Sequence, residues 1–319
     1  MDTRSVCQFL HDTARAGQRS VLVTVGAVEG SSMRNPGTIM GVAEDGSFAG
    51  SLSGGCIENA VVAEALDVLK DGAARTVRFG AGSPYLDIQL PCGGGLDLLF
   101  HPLDNGDFAA ACLASIAARE AFTITTNGES VAHQSGWQSH SFEAASLASV
   151  FGHWPQPQLQ IIGHGAGVEA LCILARTHGC TTRVLTPDER IVAQLAQRGI
   201  DAHLLKRTSQ TDLLASDVWT ATIFLFHDHD WEIELMERAL AQPHFYLGAM
   251  GGRRAHAFRS EALGARGVST EALARIHAPI GLFHSSRDPH TLALSTLGEV
   301  IRTYEGTDFA ALTGQADLG

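Results

Sequence analysis

The six cysteines of this 319-residue chain (Cys7, Cys56, Cys92, Cys112, Cys172 and Cys180) form no CxxC pair, which argues against a zinc ribbon or a thioredoxin-type site. No stretch approaches the ~20 apolar residues of a membrane-spanning helix. The opening stretch, MDTRSVCQFLHDTARAGQ, lacks the uninterrupted apolar run of a signal peptide, so reduced thiols in the cytoplasm are the expectation. Positive charge is also scarce. The 22 Lys and Arg against 34 Asp and Glu leave a formal net charge of −12, which argues against nucleic acid or an anionic membrane as the main partner. Internal repeats and low-complexity tracts are absent. What remains is a globular composition, 45% hydrophobic and 18% charged, in a chain long enough for two domains of ordinary size.

The first half reads as strand-rich. Val6, Phe9, Leu10 and Thr13 share a stripe of a short helix over 4–16. SVLVTVGAV (20–28) is an apolar strand, and TIMGVAEDGSFAGSLSGG reads as two strands about Asp45-Gly46, a dipeptide that tolerates positive φ. Ile57, Val61, Val62, Leu66 and Leu69 repeat with a 3.6-residue period and predict a helix over 57–70, with Ser53 as its cap and Asp71-Gly72 as its stop. ARTVRFG and LDLLFHP are short strands on either side of LPCGGG. Beyond them come a helical FAAACLASIAARE, a hairpin about Asn127-Gly128, and the prolines of HWPQPQ, which mark a domain boundary. The expected division is a strand-rich α+β N-terminal domain over 1–106, a connecting helix and hairpin over 107–156, and an α/β domain over 157–319.

That last segment alternates strand and helix: LQIIG, GVEALCILARTHG, TTRVLTP, DERIVAQLAQRG, TATIFLFHDHD and WEIELMERALAQ follow in turn. Such alternation predicts a doubly wound parallel sheet with right-handed crossovers, a Rossmann-like domain. Near its end Asp288 and Pro289 form the N-cap and first position of a final helix.

Candidate chemistry clusters at four places. Gly163, Gly165 and Gly167 lie in the turn between the first strand and helix of the α/β domain, where glycines admit a phosphate to bare backbone. Val168 stands where a third fingerprint glycine would be. Thr186 occupies the usual place of the ribose-binding acid, and Asp188 lies just beyond. His227, Asp228, His229 and Asp230 end a buried strand and could ligate a metal, move protons or hold a polar ligand. If the strand persists, the two histidines point one way and the aspartates the other; the plainer reading has Asp230 capping the next helix. Arg253-Arg254 follow Gly251-Gly252 at the start of another helix, a setting suited to phosphate or carboxylate or simply to solvent. Cys56 follows Gly54-Gly55 at a helix start, where the dipole and unpaired N–H groups favour a thiolate, and Cys92 precedes Gly93. Two such thiolates could bind a soft metal centre, carry a persulfide or act as nucleophiles.

The motifs EGSSMRNPG, SGGCIE and LPCGGG resemble signatures of the N-terminal domain of the XdhC/CoxI family. IIGHGAG, FHDHD, YLGAMGGRR and HAPIGL resemble those of its C-terminal Rossmann domain. The resemblance implies a non-catalytic maturation factor for molybdenum hydroxylases such as xanthine dehydrogenase. Such a factor binds molybdenum cofactor, works with a cysteine desulfurase during sulfuration, and delivers the cofactor to the apo-enzyme. It further implies Cys56 and Cys92 as the contacts to molybdenum, beside Gly54, Gly55, Gly93 and Arg34. The pterin phosphate, or the dinucleotide form of the cofactor, would fall to Gly163, Gly165, Gly167, Asp188, Arg253 and Arg254, with His227, Asp228 and His229 at the same cofactor. A homodimer is expected. Two other classes stay open: an NAD(P)-dependent oxidoreductase, and a metal-dependent hydrolase or transferase built on the His227–Asp230 cluster.

Overall fold

The computed structural model describes residues 3–30, 34–55, 57–83, 93–226, 229–283 and 288–315. Its contacts divide the chain into two units, one running to Pro155 and including Gly314 and Gln315, the other spanning Gln156–Thr313.

The first unit contains α1 (Thr3–Arg15), β1 (Ser20–Glu29), β2 (Ile39–Ala43), β3 (Phe48–Ala49), α2 (Glu58–Asp71), β4 (Arg75–Gly80), β5 (Gly95–Leu103) and α3 (Asp107–Ala118). The strands form an antiparallel sheet in the order β3-β2-β1-β5-β4. Central β1 is buried along both faces, which explains its continuous apolar run. Val21, Val23 and Val25 pack with α2 residues Val61, Ala65 and Val68, whereas Leu22 faces Val6 and Leu10 of α1 and Cys112 of α3. Helix α2 stops at Gly72, whose φ of 70° lies in the left-handed region that spares glycine a Cβ clash.

The segment beyond α3 holds more structure than a connecting hairpin. Strands β6 (Phe122–Thr126) and β7 (Val131–Ser135) form the expected hairpin, and β8 (Ser141–Glu143) and β9 (Ala148–His153) complete a second antiparallel sheet, ordered β7-β6-β9-β8. β8 has three largely exposed residues, and β9 alternates in burial but puts Ser149 beside Phe151 at its inward positions, so neither shows a clear apolar period in sequence.

The second unit runs β10 (Gln158–Gly163), α4 (Ala166–His178), β11 (Thr181–Thr186), α5 (Glu189–Gln197), β12 (Asp201–Leu204), β13 (Thr220–Leu225), α6 (Ile233–Leu240), β14 (Tyr246–Ala249), α7 (Arg253–Ala265), α8 (Thr270–Leu273), β15 (Ile276–His277), α9 (Pro289–Glu305) and α10 (Phe309–Thr313). All six strands are parallel, in the order β12-β11-β10-β13-β14-β15. Numbered within the unit this is 3-2-1-4-5-6, the order of dinucleotide-binding sheets, with the chain reversing direction across the sheet between β10 and β13. One face packs Ile161, Ile223 and Leu225 against Val168 of α4 and Leu297 of α9. The other packs Ile162, Phe224 and Leu247 against Leu235 of α6 and Leu263 of α7. No helix among the described residues is long and apolar enough to cross a membrane.

Gly163 and Gly165 are glycine for different reasons. A Cβ on Gly163 would sit 2.4 Å from the backbone oxygen of Leu225 on β13, while one on Gly165 would meet nothing within 4 Å and suffer only from a φ of 86°. Gly163→Ala should therefore destabilise the second unit by about 2–3 kcal/mol through overpacking. Gly165→Ala, at φ 86° and ψ −178° where essentially only glycine is found, should cost about 1–3 kcal/mol through backbone strain instead. Urea unfolding of the two variants measures both costs.

Candidate functional site

In the first unit the strand directions bring the two glycine-rich loops to one end of the sheet. Glu29, at the close of β1, pairs with Gly95 at the opening of β5, and Gly95 pairs with Gly80 at the close of β4. Strand β3 runs in the same sense as β1 and leads into the 50–57 loop at that same end. Gly54 and Gly55, with φ of 79° and 111°, follow β3, and Gly93, with φ of 69°, precedes β5, with β2 and β1 between those strands in the sheet. A Cβ on Gly55 or Gly93 would meet nothing within 4 Å, so the space above each is open. Cys56 and Cys92 themselves lie outside the described residues.

The residue that organises this end is Glu58, the first of α2. It is only 6% exposed, and the preceding loop is wrapped around its carboxylate. Oε1 accepts from Ser51 Oγ at 2.8 Å, Leu52 N at 3.1 Å and Ser53 N at 3.1 Å. Oε2 accepts from Ser53 Oγ at 2.7 Å, Gly55 N at 2.9 Å and Ile57 N at 3.2 Å. Burial by itself would raise the pKa, but these bonds, those from Ser53 and Ser51 foremost, hold it at about 2. One expectation is corrected here: Ile57 holds the N-cap position of α2 without a side-chain cap, and the Ser53 hydroxyl instead donates to Glu58 Oε2 and accepts from Ile57 N at 3.1 Å. The N–H groups of Leu52, Ser53, Gly55 and Ile57 are donated to the Glu58 carboxylate.

Arg34 joins the same loop, donating from Nε to the Ser51 carbonyl at 3.0 Å. On the other side Arg78 ties the sheet end together, bonding Asp97 at 3.1 Å, the Ala81 carbonyl at 2.7 Å, and Glu29. A Cβ on Gly95 would fall 2.9 Å from the Ala81 backbone oxygen and 2.6 Å from Arg78 Nη2, so backbone as well as the guanidinium leaves no room for a side chain there.

In the second unit the candidate residues line the carboxyl edge of the parallel sheet. Asp188 follows β11, Gly163 closes β10 with Gly165 and Gly167 just beyond it, His229 follows β13, and Arg253-Arg254 follow β14. These are four adjacent strands, about 14 Å across at the usual interstrand spacing of about 4.8 Å. Gly165 is the N-cap of α4, with no side-chain cap, so the first amides of that helix face the crevice edge. Val168 is fully buried in the core, and a Cβ on Gly167 would make an ordinary 3.6 Å contact with Leu292 of α9. Asp188 caps α5 through the Arg190 amide at 2.9 Å, and its Oδ2 also accepts from Arg190 Nη2 at 3.1 Å.

His227 and Asp228 lie outside the described residues. Strand β13 ends at Leu225 and a short 3-10 turn, His229–Trp231, follows. The strand on which the expected alternation depended therefore does not persist to Asp230. Nor does Asp230 cap the next helix, since Glu232 holds the N-cap position of α6. Among the described residues no group of three His, Cys, Asp or Glu side chains converges on a metal-sized position.

Two buried carboxylates that sequence reasoning missed set the far side of this edge. Glu232 forms a fully buried ion pair with Arg259 of α7 at 2.8 Å. Arg259 also donates to the Met250 carbonyl at 2.9 Å, fixing the turn that presents the exposed Arg253 and Arg254. Glu299 of α9 accepts from Tyr246 Oη at 2.7 Å and from Gly281 N at 2.6 Å, with His277 Nδ1 at 3.4 Å. Burial would raise its pKa, but the bonds from His277, Tyr246 and Gly281 hold it at about 2. The HAPIGL stretch is thus built around a carboxylate from a distant helix, which no local spacing in the sequence reveals.

Models of known families match both halves: that of the XdhC and CoxI family over residues 13–80, and that of the XdhC Rossmann domain over residues 159–300. The molybdenum cofactor insertion chaperone PaoD of Escherichia coli (strain K12) is 33% identical over 316 residues, 96% of this chain and 91% of PaoD. The uncharacterized protein YqeB of the same organism is 22% identical over 288 residues, which span 86% of this chain and 41% of YqeB. A solved structure from Bacillus halodurans, described as a xanthine dehydrogenase, superposes with a TM-score of 0.78 at 20% identity, covering 96% of this chain and 97% of that one. That likeness is one of fold.

The sign of the pH dependence follows from Glu58 and Glu299. Each has an ordinary carboxyl pKa of 4.5 and a folded pKa of about 2. The unfolded chain therefore takes up a proton first as pH falls, and the stability these groups contribute is lost between about pH 4.5 and pH 2. Glu58→Gln should flatten that acid limb in the first unit and leave Glu299's contribution in the second. Glu58→Ala, which strands several buried donors at about 1–3 kcal/mol each, should cost at least about 3 kcal/mol at pH 7. Denaturant titrations from pH 7 to pH 3 measure both.

Proposed function

The chain belongs to the XdhC and CoxI family, and on that premise we propose that it is a carrier that binds molybdenum cofactor and delivers it to a molybdenum hydroxylase. One observation carries the reading: the 33% identity to a chaperone of molybdenum cofactor insertion runs through 96% of this chain, so both units share in the relation. The cofactor is cargo here, and the residues present suit its chemistry. Molybdenum held by a dithiolene is soft and thiophilic, so thiolates at Cys56 and Cys92 are its natural contacts. The glycines beside them leave room for a ligand to approach backbone. The phosphate of the pterin, or the nucleotide of the dinucleotide form, suits the open amides at Gly165 and the exposed Arg253-Arg254.

In this reading Glu58 is a positioning residue: it fixes the loop bearing Cys56 without meeting the cargo. Handover needs contacts that break as readily as they form, which metal–thiolate contacts at an open loop allow. A cysteine desulfurase that sulfurates the bound cofactor, a homodimeric assembly and a cytoplasmic setting complete the proposal. A second reading, NAD(P)-dependent oxidoreduction, is favoured by the strand order of the parallel sheet. Against it, the acid nearest the ribose position, Asp188, is engaged by Arg190.

The test is retention of cargo. Purified protein is incubated with released molybdenum cofactor, desalted, and assayed for bound molybdenum and pterin together, with NAD(H) titrated in parallel. Stoichiometric retention by the wild type, at least tenfold lower in Cys56→Ala and near wild type in Cys112→Ala, is the expected outcome. No retention beside saturable NAD(H) binding would overturn the carrier reading.

A further inference from the structure

Strand β3 leads into the loop that bears Cys56, and β5 follows the stretch that bears Cys92. In the sheet those strands are separated by β2 and β1, a gap of about 14 Å at the usual interstrand spacing of about 4.8 Å. One cargo can meet both loops only if something between them sets their approach. What lies between is the connection from β1 to β2, of which residues 30 and 34–38 are described, and it touches the neighbours of both cysteines.

The contact on the Cys92 side is at Gly30. Glu29 pairs with Gly95 in the β1–β5 ladder, and Gly30 continues beside it: a Cβ there would lie 3.4 Å from Gly94 Cα. Gly94 is tied in turn to the β4 side, its carbonyl accepting from Ala81 N at 2.9 Å, and Arg78 bonds both Glu29 and the Ala81 carbonyl. The start of the connection and the residues after Cys92 are therefore packed backbone against backbone.

The contact on the Cys56 side is at Arg34, which enters a firmly built turn. The Asn35 carbonyl accepts from Thr38 N at 3.1 Å and from Thr38 Oγ1 at 2.8 Å. Pro36 and Gly37 take the central positions, Gly37 at φ 86°, the arrangement a tight β-turn favours. Gly37 N donates to the Val25 carbonyl at 2.8 Å, and Val25 N to the Thr38 carbonyl at 2.9 Å, so the turn is anchored on central β1. From this base Arg34 Nε donates to the Ser51 carbonyl at 3.0 Å. Gly50, beside Ser51, rests on the opening of β2, where a Cβ would fall 2.9 Å from the Ile39 oxygen.

Ser51 is the joint between two sets of bonds. Its hydroxyl donates to Glu58 Oε1 at 2.8 Å and accepts from Gly54 N at 3.1 Å, while its carbonyl receives Arg34. Glu58 gathers the amides of the loop before it and so fixes the loop's shape. Arg34 ties that shape to the β1–β2 connection and so fixes its place. We propose that Arg34 is a positioning residue: through Ser51 it fixes the Cys56 loop against the β1–β2 connection, which spaces that loop from the Cys92 loop so that both meet one cargo. The proposal rests on the carrier reading and adds to it how the two loops are held in register. It places Arg34 behind the site, acting through a neutral backbone carbonyl.

Because the donor is Nε, this role separates cleanly from charge. Glutamine carries an Nε2 the same number of bonds from Cα without the charge; lysine keeps the charge and places its nitrogen one bond further out; alanine removes both. Arg34 also lines a cavity of about 370 Å³ shared with residues of the 137–153 stretch, so side chains of other shapes find room there. Amide hydrogen exchange of the full chain, read by mass spectrometry without cargo, is the first measurement. Arg34→Ala should speed exchange in 50–57 about tenfold and leave β1 and β5 at wild-type rates, whereas Arg34→Gln should stay close to wild type. Arg34→Lys should fall between them. Retention of whole molybdenum cofactor after desalting, measured in parallel, should be at least fivefold lower in Arg34→Ala and near wild type in Arg34→Gln.

Unchanged exchange at 50–57 in Arg34→Ala would overturn the proposal, as would faster exchange spread over β1 and β5. Retention kept by Arg34→Lys and lost in Arg34→Gln would make Arg34 a charge contact to the cargo and overturn it too. So would wild-type retention in Arg34→Ala despite a loosened loop. If exchange changes as expected and the wild type itself retains no cofactor, the hold of Arg34 on the loop stands and the carrier reading falls.

Discussion

Glu58 stays ionised where water scarcely reaches it because the chain on its N-terminal side folds back to supply the hydrogen bonds that water would have given. That requirement sets the shape of the 51–57 loop: two serine hydroxyls and four backbone amides converge on one carboxylate. The left-handed φ values of Gly54 and Gly55 are what let the backbone turn tightly enough to do so. The backbone of 51–55 is thus held from within by one carboxylate, while a Cβ on Gly55 would meet nothing within 4 Å.

The second unit solves the same problem with different parts. Glu299 gathers Tyr246, His277 and the Gly281 amide, drawing β14, β15 and the following turn onto α9. Glu232 and Arg259 neutralise one another inside the core and catch the Met250 carbonyl. Removing one partner of such a pair leaves an uncompensated buried charge, so the turn before Arg253 is fixed by a contact that has nothing to do with ligand. In both units, polar groups inside the protein hold loops whose outward faces remain open.

Steric limits do the rest at the parallel sheet's crossing point. Strands β10 and β13 approach so closely that Gly163 has no room for a side chain beside Leu225. The first glycine of the turn is therefore a demand of the sheet, Gly165 answers to backbone conformation, and Gly167 lies against α9. A fingerprint that looks like one device for phosphate is three local solutions, of which Gly165 alone faces open space.

The periodic segments were legible in the residues. A run such as Ile57 to Leu69, or the apolar core of TATIFLFHDHD, declares its element because neighbouring side chains share one environment. Strand–helix alternation then predicts a parallel sheet, and the motif set pointed to the family. Strands β8, β9 and β12 were not legible, being short and partly exposed, and neither were the roles of Glu58, Glu232, Arg259 and Glu299. In sequence each is one more charged residue on a helix or at its start. The sequence by itself determined which segments are helix or strand, that the second half is Rossmann-like, and where glycine-flanked cysteines stand. Only the tertiary structure decided that Gly55 and Gly93 belong to loops at one end of a sheet, that the amides of Gly55 and Ile57 are spent on Glu58, and that residues from 34–39 and 137–153 line a common cavity. The reason is physical: local pattern records what a residue does to its own helix or strand, whereas a buried charge and a cavity wall are defined by partners far away along the chain.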